Sequence, residues 1–342
     1  MFGHISQGCN NDGVGGTTTI HSIHASAMPE GRKATYAEFI ANIRPQKEEI
    51  HRVCLTAGNN LIQYPWTIRT PTVNMTTTKL LLKSVVSTPG ANFTTSDIND
   101  FYLNTPIEKY KYMHIHINMT PQDIINAYNL LPLAKNYHVL VDTHKGMYGL
   151  PQAGKITDGR LVKHLANFGY FPDRHMPGMW HHNTLNIRFC LVVDDYGTKY
   201  VNKADVENLN TALSSLYKII SDWRGGFYLD ITLKWDYEAR TCDVFMPGYI
   251  ETVLKKPKHT TVMQPQHSPH PWKLPNYGKP TQITTAPEKY APLPTDNITH
   301  LQKVIGYLLV YARSVNSKMI PALNTLASSY YRITKATDQS LT

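Results

Sequence analysis

The sequence predicts an α+β fold with an antiparallel sheet at its centre. Two observations carry that expectation. Residues 187–201, IRFCLVVDDYGTKYV, run from a β-rich stretch through an acidic pair into a second short β stretch, the pattern of a hairpin. Segments with helical spacing lie outside such runs, as where Leu161, His164, Leu165 and Phe168 recur before Gly169. The 342 residues are 42% hydrophobic and 17% charged, which reads as globular rather than disordered. That length allows roughly two to three domain-sized units.

Along the chain, residues 1–34 are rich in Gly, Ser, Thr and Asn and read as a flexible leader. Residues 35–44 are a short mixed segment, and 55–73 carry strand-like and turn-like pieces. TTTKLLLKSVVST (76–88) reads as a helix stopped by Pro89-Gly90, and 92–102 as a strand entering a turn. Residues 122–130 suggest a short helix, 137–142 a strand and 155–170 a helix. The stretch from Val206 to Trp223 reads as one amphipathic helix, followed by alternating strands in FYLDITLKWDY and CDVFMPGY. Nine prolines between Pro257 and Pro294 predict an extended connector over 251–297. Leu301, Val304, Ile305 and Leu308 then mark one helix, and Met319 to Ala327 another.

Lys plus Arg number 34 against 25 for Asp plus Glu, a formal charge of +9, which points to a polyanionic partner such as nucleic acid. A basic but unspecialised surface accounts for the charge as well. The four cysteines lie far apart with no CxxC pair, as expected for reduced thiols in an intracellular protein, cytoplasmic or nuclear. His21 with His24, and His114 with His116, have the look of ligand pairs, but no third ligand lies near them in sequence, so surface or strand positions are expected. The longest apolar run, VIGYLLVYA, is too short to cross a bilayer, and the leader lacks a secretory core, so no membrane partner is expected.

Three clusters could carry chemistry. Asp194 and Asp195, between two β runs, fit the tight end of a hairpin, where carboxylates project together. Two ionised carboxylates so close need compensating positive charge, which Mg²⁺ supplies through oxygen ligands. In isolation, such a pair is more often a simple polar turn. Asp97, where a strand gives way to a turn, offers a third carboxylate from a second segment, as a two-metal phosphoryl transfer requires. Taken alone it fits a helix cap. KGMYGLPQAGK (145–155) is dense in glycine, implying close backbone approach, with Gln152 able to donate and accept and with Lys145 and Lys155 flanking it.

The order Asp97–Tyr102, then GMYGLPQAG, then LVVDD resembles the successive palm motifs of reverse transcriptases. The strings NFTTSDINDFYLNTP, KGMYGLPQAG, HMPGMW, LVVDDYGTKYV and QKVIGYLLVYAR are similar specifically to the copia branch of retrotransposons, over about residues 35–330. The resemblance implies a right-hand polymerase: fingers and palm interleaved over 35–250, then the connector and a helical thumb-like end at 298–342. It implies RNA-directed DNA polymerisation with two Mg²⁺ ions on Asp97, Asp194 and Asp195, and an RNA template, DNA primer and deoxynucleoside triphosphates as partners. Tyr102 matches the aromatic gate that excludes a ribose 2′-hydroxyl, Gln152 a glutamine against the incoming nucleotide, and Val193 the variable residue before the acids. Lys145, Lys155 and Lys199 are candidate phosphate neighbours, with Lys255, Lys256 and Lys258 facing nucleic acid.

Two positions depart from the family pattern. Cys54 stands where family members usually carry a basic residue, leaving Arg52 two residues earlier as the nucleotide-binding substitute. Asp230 stands in LDI where they usually carry Gly. These changes keep open a second expectation, an inactive copy that folds and at most binds nucleic acid. A two-metal nuclease or integrase is a third, though it has no use for Tyr102 or Gln152. Copia polyproteins also contain RNase H, protease and integrase, whose motifs are not visible here; those other parts are candidate partners.

Overall fold

The computed structural model describes residues 18–43, 51–58, 61, 62, 64, 67–255 and 295–328. The chain divides after Gly225 into two compact units, within the stretch 35–250 that the resemblance assigns to one polymerase body. Both contain helices and sheets whose strand pairs are mostly antiparallel, an α+β composition.

The first unit contains two sheets. One has the order β1 (Ile20–Ile23), β6 (His138–Lys145), β5 (Pro106–His116), β2 (Thr35–Ile43), β3 (His51–Ala57), antiparallel except where β2 meets β5. β1 lies inside the segment read as a flexible leader. It is ordered because its four residues pair with the open edge of β6, from Ile20 opposite Thr143 to Ile23 opposite Leu140. The expected mixed segment at 35–44 is the strand β2, which pairs through Thr35 and Tyr36 with β5 and through Ala37 to Ile43 with β3.

The second sheet has the order β11 (Lys218–Asp222), β4 (Asn92–Asn99), β10 (Asp195–Tyr200), β9 (Ile187–Val192), β8 (Met179–His182), β7 (Tyr170–Pro172), antiparallel throughout. The hairpin expected at 187–201 is β9–β10. α1 (Met75–Ser87) is the helix expected at 76–88, with the Asn74 side chain accepting from the Thr77 N–H at 2.9 Å. Such a cap is worth about 1 kcal/mol. The single helix expected over 206–223 is a correction. α4 (Lys203–Ser214) stops where the Leu216 and Tyr217 N–H groups both bond the Leu213 carbonyl, and residues 218–222 turn into edge strand β11 against β4. β-branched Ile219 and Ile220 favour extension, and the open edge of β4 supplies the hydrogen bonds.

Alternation fixes what each face of this sheet does. Tyr196 and Tyr200 of β10 fall on one face, in a core with Leu161 and Leu165 of α3 (Ala153–Ala166) and with Val206, Leu209 and Leu213 of α4. Phe189 and Trp180 stack within it at 5.6 Å. Burying side chains of this size is worth about 1.5–3 kcal/mol each. Asp195 and Lys199 belong to the opposite face, so the core does not claim the acids.

The second unit contains the three-stranded sheet β12 (Phe227–Tyr228), β13 (Ile231–Asp236), β14 (Thr241–Phe245), with α5 (Tyr249–Lys255), α6 (Thr295–Ser314) and α7 (Ile320–Ser328). The strands and the last two helices agree with the periodicity of the sequence. The extended connector expected over 251–297 is helical at both ends, residues 251–255 in α5 and 295–297 in α6, and the stretch between, with Lys256 and Lys258, lies outside the described residues. Among the described residues no helix is long and apolar enough to cross a membrane.

Candidate active site

The acids meet at one end of the second sheet. In the register of β10 against β4, Asp195 stands directly opposite Asp97. Directly opposed residues hold their Cβ atoms about 4.5–5.5 Å apart on one face. Asp194 lies in the two-residue connection between Val192 and Asp195, and its carbonyl accepts from the Ile98 N–H at 2.8 Å, tying the turn to β4. Val193 opens that connection at φ +58°. Positive φ at the first central residue is the pattern of a type II′ turn, which normally uses Gly there. A β-branched residue in this region is strained, by about 1–3 kcal/mol, and strain of this kind clusters at functional sites.

The glycine-rich segment reaches the same place. The Tyr148 hydroxyl donates to Asp194 Oδ2 at 3.1 Å, and the Tyr148 ring sets its edge against Tyr102 at 4.9 Å. Burial pushes the Tyr102 phenol above its ordinary pKa, with the Asp194 charge adding to it. That hydroxyl is therefore a proton donor at neutral pH. A Cβ on Gly154 would crowd the Thr70 hydroxyl at 2.9 Å and would meet the Tyr102 hydroxyl at an ordinary 3.7 Å. Tyr148 is the residue that sequence reasoning passed over. It sits inside the quoted motif, but only folding shows that it bonds an acid.

Other expected residues fall differently. Gln152 precedes α3 and is 2% exposed, its Oε1 buried without a hydrogen-bond partner among the described residues, so its amide does not face open solvent. Lys199 donates to Thr88 Oγ1 at 2.8 Å, and burial lowers its pKa with help from Arg188. Burial likewise lowers Lys145, with Arg160 adding to it. Arg52 lies in β3, paired with Asn42, and its side chain falls outside the described residues. Cys54 is opposite Ile40 and unpaired as a thiol. Asp230 follows Leu229 in the two-residue turn of β12–β13, at φ +61° after +50°. That is a type I′ turn, where Asn-Gly is the favoured pair.

Among the described residues, one set of three His, Cys, Asp or Glu side chains brings its ligand atoms within 4.8 Å of one another, and it is not the three acids: it is His21, Asp142 and His144. Comparison with family models and with curated proteins finds no match to this chain.

Proposed function

We propose that this chain is an RNA-directed DNA polymerase of the copia type, extending a DNA primer along an RNA template. The observation that carries the reading is the register that sets Asp97 opposite Asp195, with Asp194 at the adjoining turn bonded by Tyr148. Three separated motifs thereby converge at one sheet end. A nuclease would need the acids but not the aromatic and glycine-rich partners.

The donor set is carboxylate oxygen throughout, the chemistry that suits Mg²⁺. Asp97, Asp194 and Asp195 would hold it, and when bound it would neutralise charge gathering on the transferring phosphoryl group. Like charges directly across a strand pair repel, so Asp97 and Asp195 favour a bound cation. Tyr148 holds the Asp194 carboxylate in place. Tyr102, with its ring against Tyr148, would narrow the space open to a 2′-hydroxyl. Binding of primer and template by a chain of charge +9 should weaken steeply as salt rises.

A folded copy without turnover is the second reading. It is favoured by the buried Gln152 amide, by Cys54 in place of a basic residue, and by carboxylates that do not close into one compact ligand set. Primer extension on an RNA template with Mg²⁺ and deoxynucleotides separates the two. Extension abolished by Asp194→Asn supports the polymerase. A protein that folds and binds primer–template without extending it refutes that reading in favour of the second.

A further inference from the structure

We infer that His21, Asp142 and His144 form a Zn²⁺ site that staples strand β1 to strand β6. The two strands place His21 directly opposite Asp142, and His144 follows two residues along β6, so all three side chains share one face of the sheet. His144 Nε2 lies 2.9 Å from Asp142 Oδ2, and His21 Nδ1 lies 3.9 Å from Asp142 Oδ1. The two imidazole rings stand 4.1 Å apart, tilted by 60°. Ligands of a tetrahedral zinc, with bonds of about 2.0–2.1 Å, sit about 3.3 Å from one another, which the two observed separations bracket.

A second observation points the same way. His21 Nδ1 and Asp142 Oδ1 are buried and make no hydrogen bond among the described residues. Buried polar atoms are nearly always satisfied, so two unsatisfied atoms facing each other across a cluster of ligand type call for something between them. At 3.9 Å they are too far apart to satisfy each other directly. A cation between them satisfies both.

The donor set selects the metal. Two imidazoles and a carboxylate suit zinc, whereas Mg²⁺ takes oxygen ligands. Three protein ligands leave a fourth position, and His21 and His144 are 39% and 27% exposed, so water can fill it. The site is independent of the polymerase reading, because none of its residues belongs to the acid cluster at the end of the second sheet. Its consequence is structural. β1 is a four-residue edge strand, and a metal bound only when it is docked holds it there by mass action.

The test uses the full chain, stripped with a chelator and kept in excess Mg²⁺ so that any oxygen-ligand site is occupied. Co²⁺ titration with Zn²⁺ competition should show one tight equivalent that Asp194→Asn leaves unchanged. His21→Ala and His144→Ala should each weaken it by more than the roughly 100-fold that loss of an outer-shell partner can cost. At free Zn²⁺ 100 times Kd, amide exchange of β1 should slow by about 100-fold. Binding that survives both His substitutions, or no binding in excess Mg²⁺, overturns the proposal. Should the variants fail to fold, X-ray absorption of the Zn²⁺-loaded wild-type chain decides. Two imidazoles with oxygen support the site, and sulfur or fewer imidazoles overturn it.

Discussion

Replacing Gly149 with alanine should destabilise the first unit by about 2–5 kcal/mol, while the same change at Gly159 should stabilise it. Gly149 sits at φ +89°, and a Cβ there would overlap the Ala57 carbonyl oxygen and stand 2.9 Å from the Ala57 nitrogen. Relief requires the glycine-rich segment to withdraw from β3, which breaks the 2.9 Å hydrogen bond from the Ala57 N–H to the Tyr148 carbonyl. A side chain at positive φ costs about 1–2 kcal/mol, and leaving a buried polar pair unmade costs about 1–3 kcal/mol. The total is a large share of the roughly 5–15 kcal/mol that holds a domain folded. Gly159 lies within α3 with nothing within 4 Å of an added Cβ, so Ala there gains about 0.5–1 kcal/mol of helix stability. Urea unfolding of the full chain, with amide exchange of β6 read in parallel, measures both. Changes of the same sign, or a loss below about 1 kcal/mol for Gly149→Ala, would refute the close approach of this segment to Ala57.

Tyr148→Phe should cost about 1 kcal/mol, since a hydrogen bond to a half-buried carboxylate is partly screened, and should cost nothing in an Asp194→Ala background. A double-mutant cycle by urea unfolding reads the difference. Asp230→Gly should stabilise the β12–β13 hairpin by about 0.5–1 kcal/mol, because Asp230 is exposed and holds φ +61°; a lower urea midpoint contradicts this. Burial raises the phenol pKa of Tyr102, Tyr170, Tyr196 and Tyr217. Their unfolded pKa is about 10, so their stabilisation is complete below that pH and is lost as pH rises through the higher folded values. Circular dichroism should show a stable fold at pH 9 and cooperative loss only above about pH 10, and unfolding that begins below pH 9 contradicts it.

Local pattern determined much of this chain. Periodicity alone marks α1, α3, α6 and the β9–β10 hairpin, because each satisfies its backbone within a short stretch whose apolar spacing matches its own geometry. The position of Asp194 and Asp195 at the tight end of that hairpin was legible for the same reason. Tertiary pairing decided the rest. Residues 218–222 continue a helical pattern in sequence, yet the open edge of β4 draws them into a strand. Residues 20–23 look like leader until β6 offers them partners. The opposition of Asp97 to Asp195, the bond from Tyr148 to Asp194, and the meeting of His21 with Asp142 and His144 all join segments distant in sequence. No local spacing encodes such contacts, since strand register is set by which faces are buried and which edges are free.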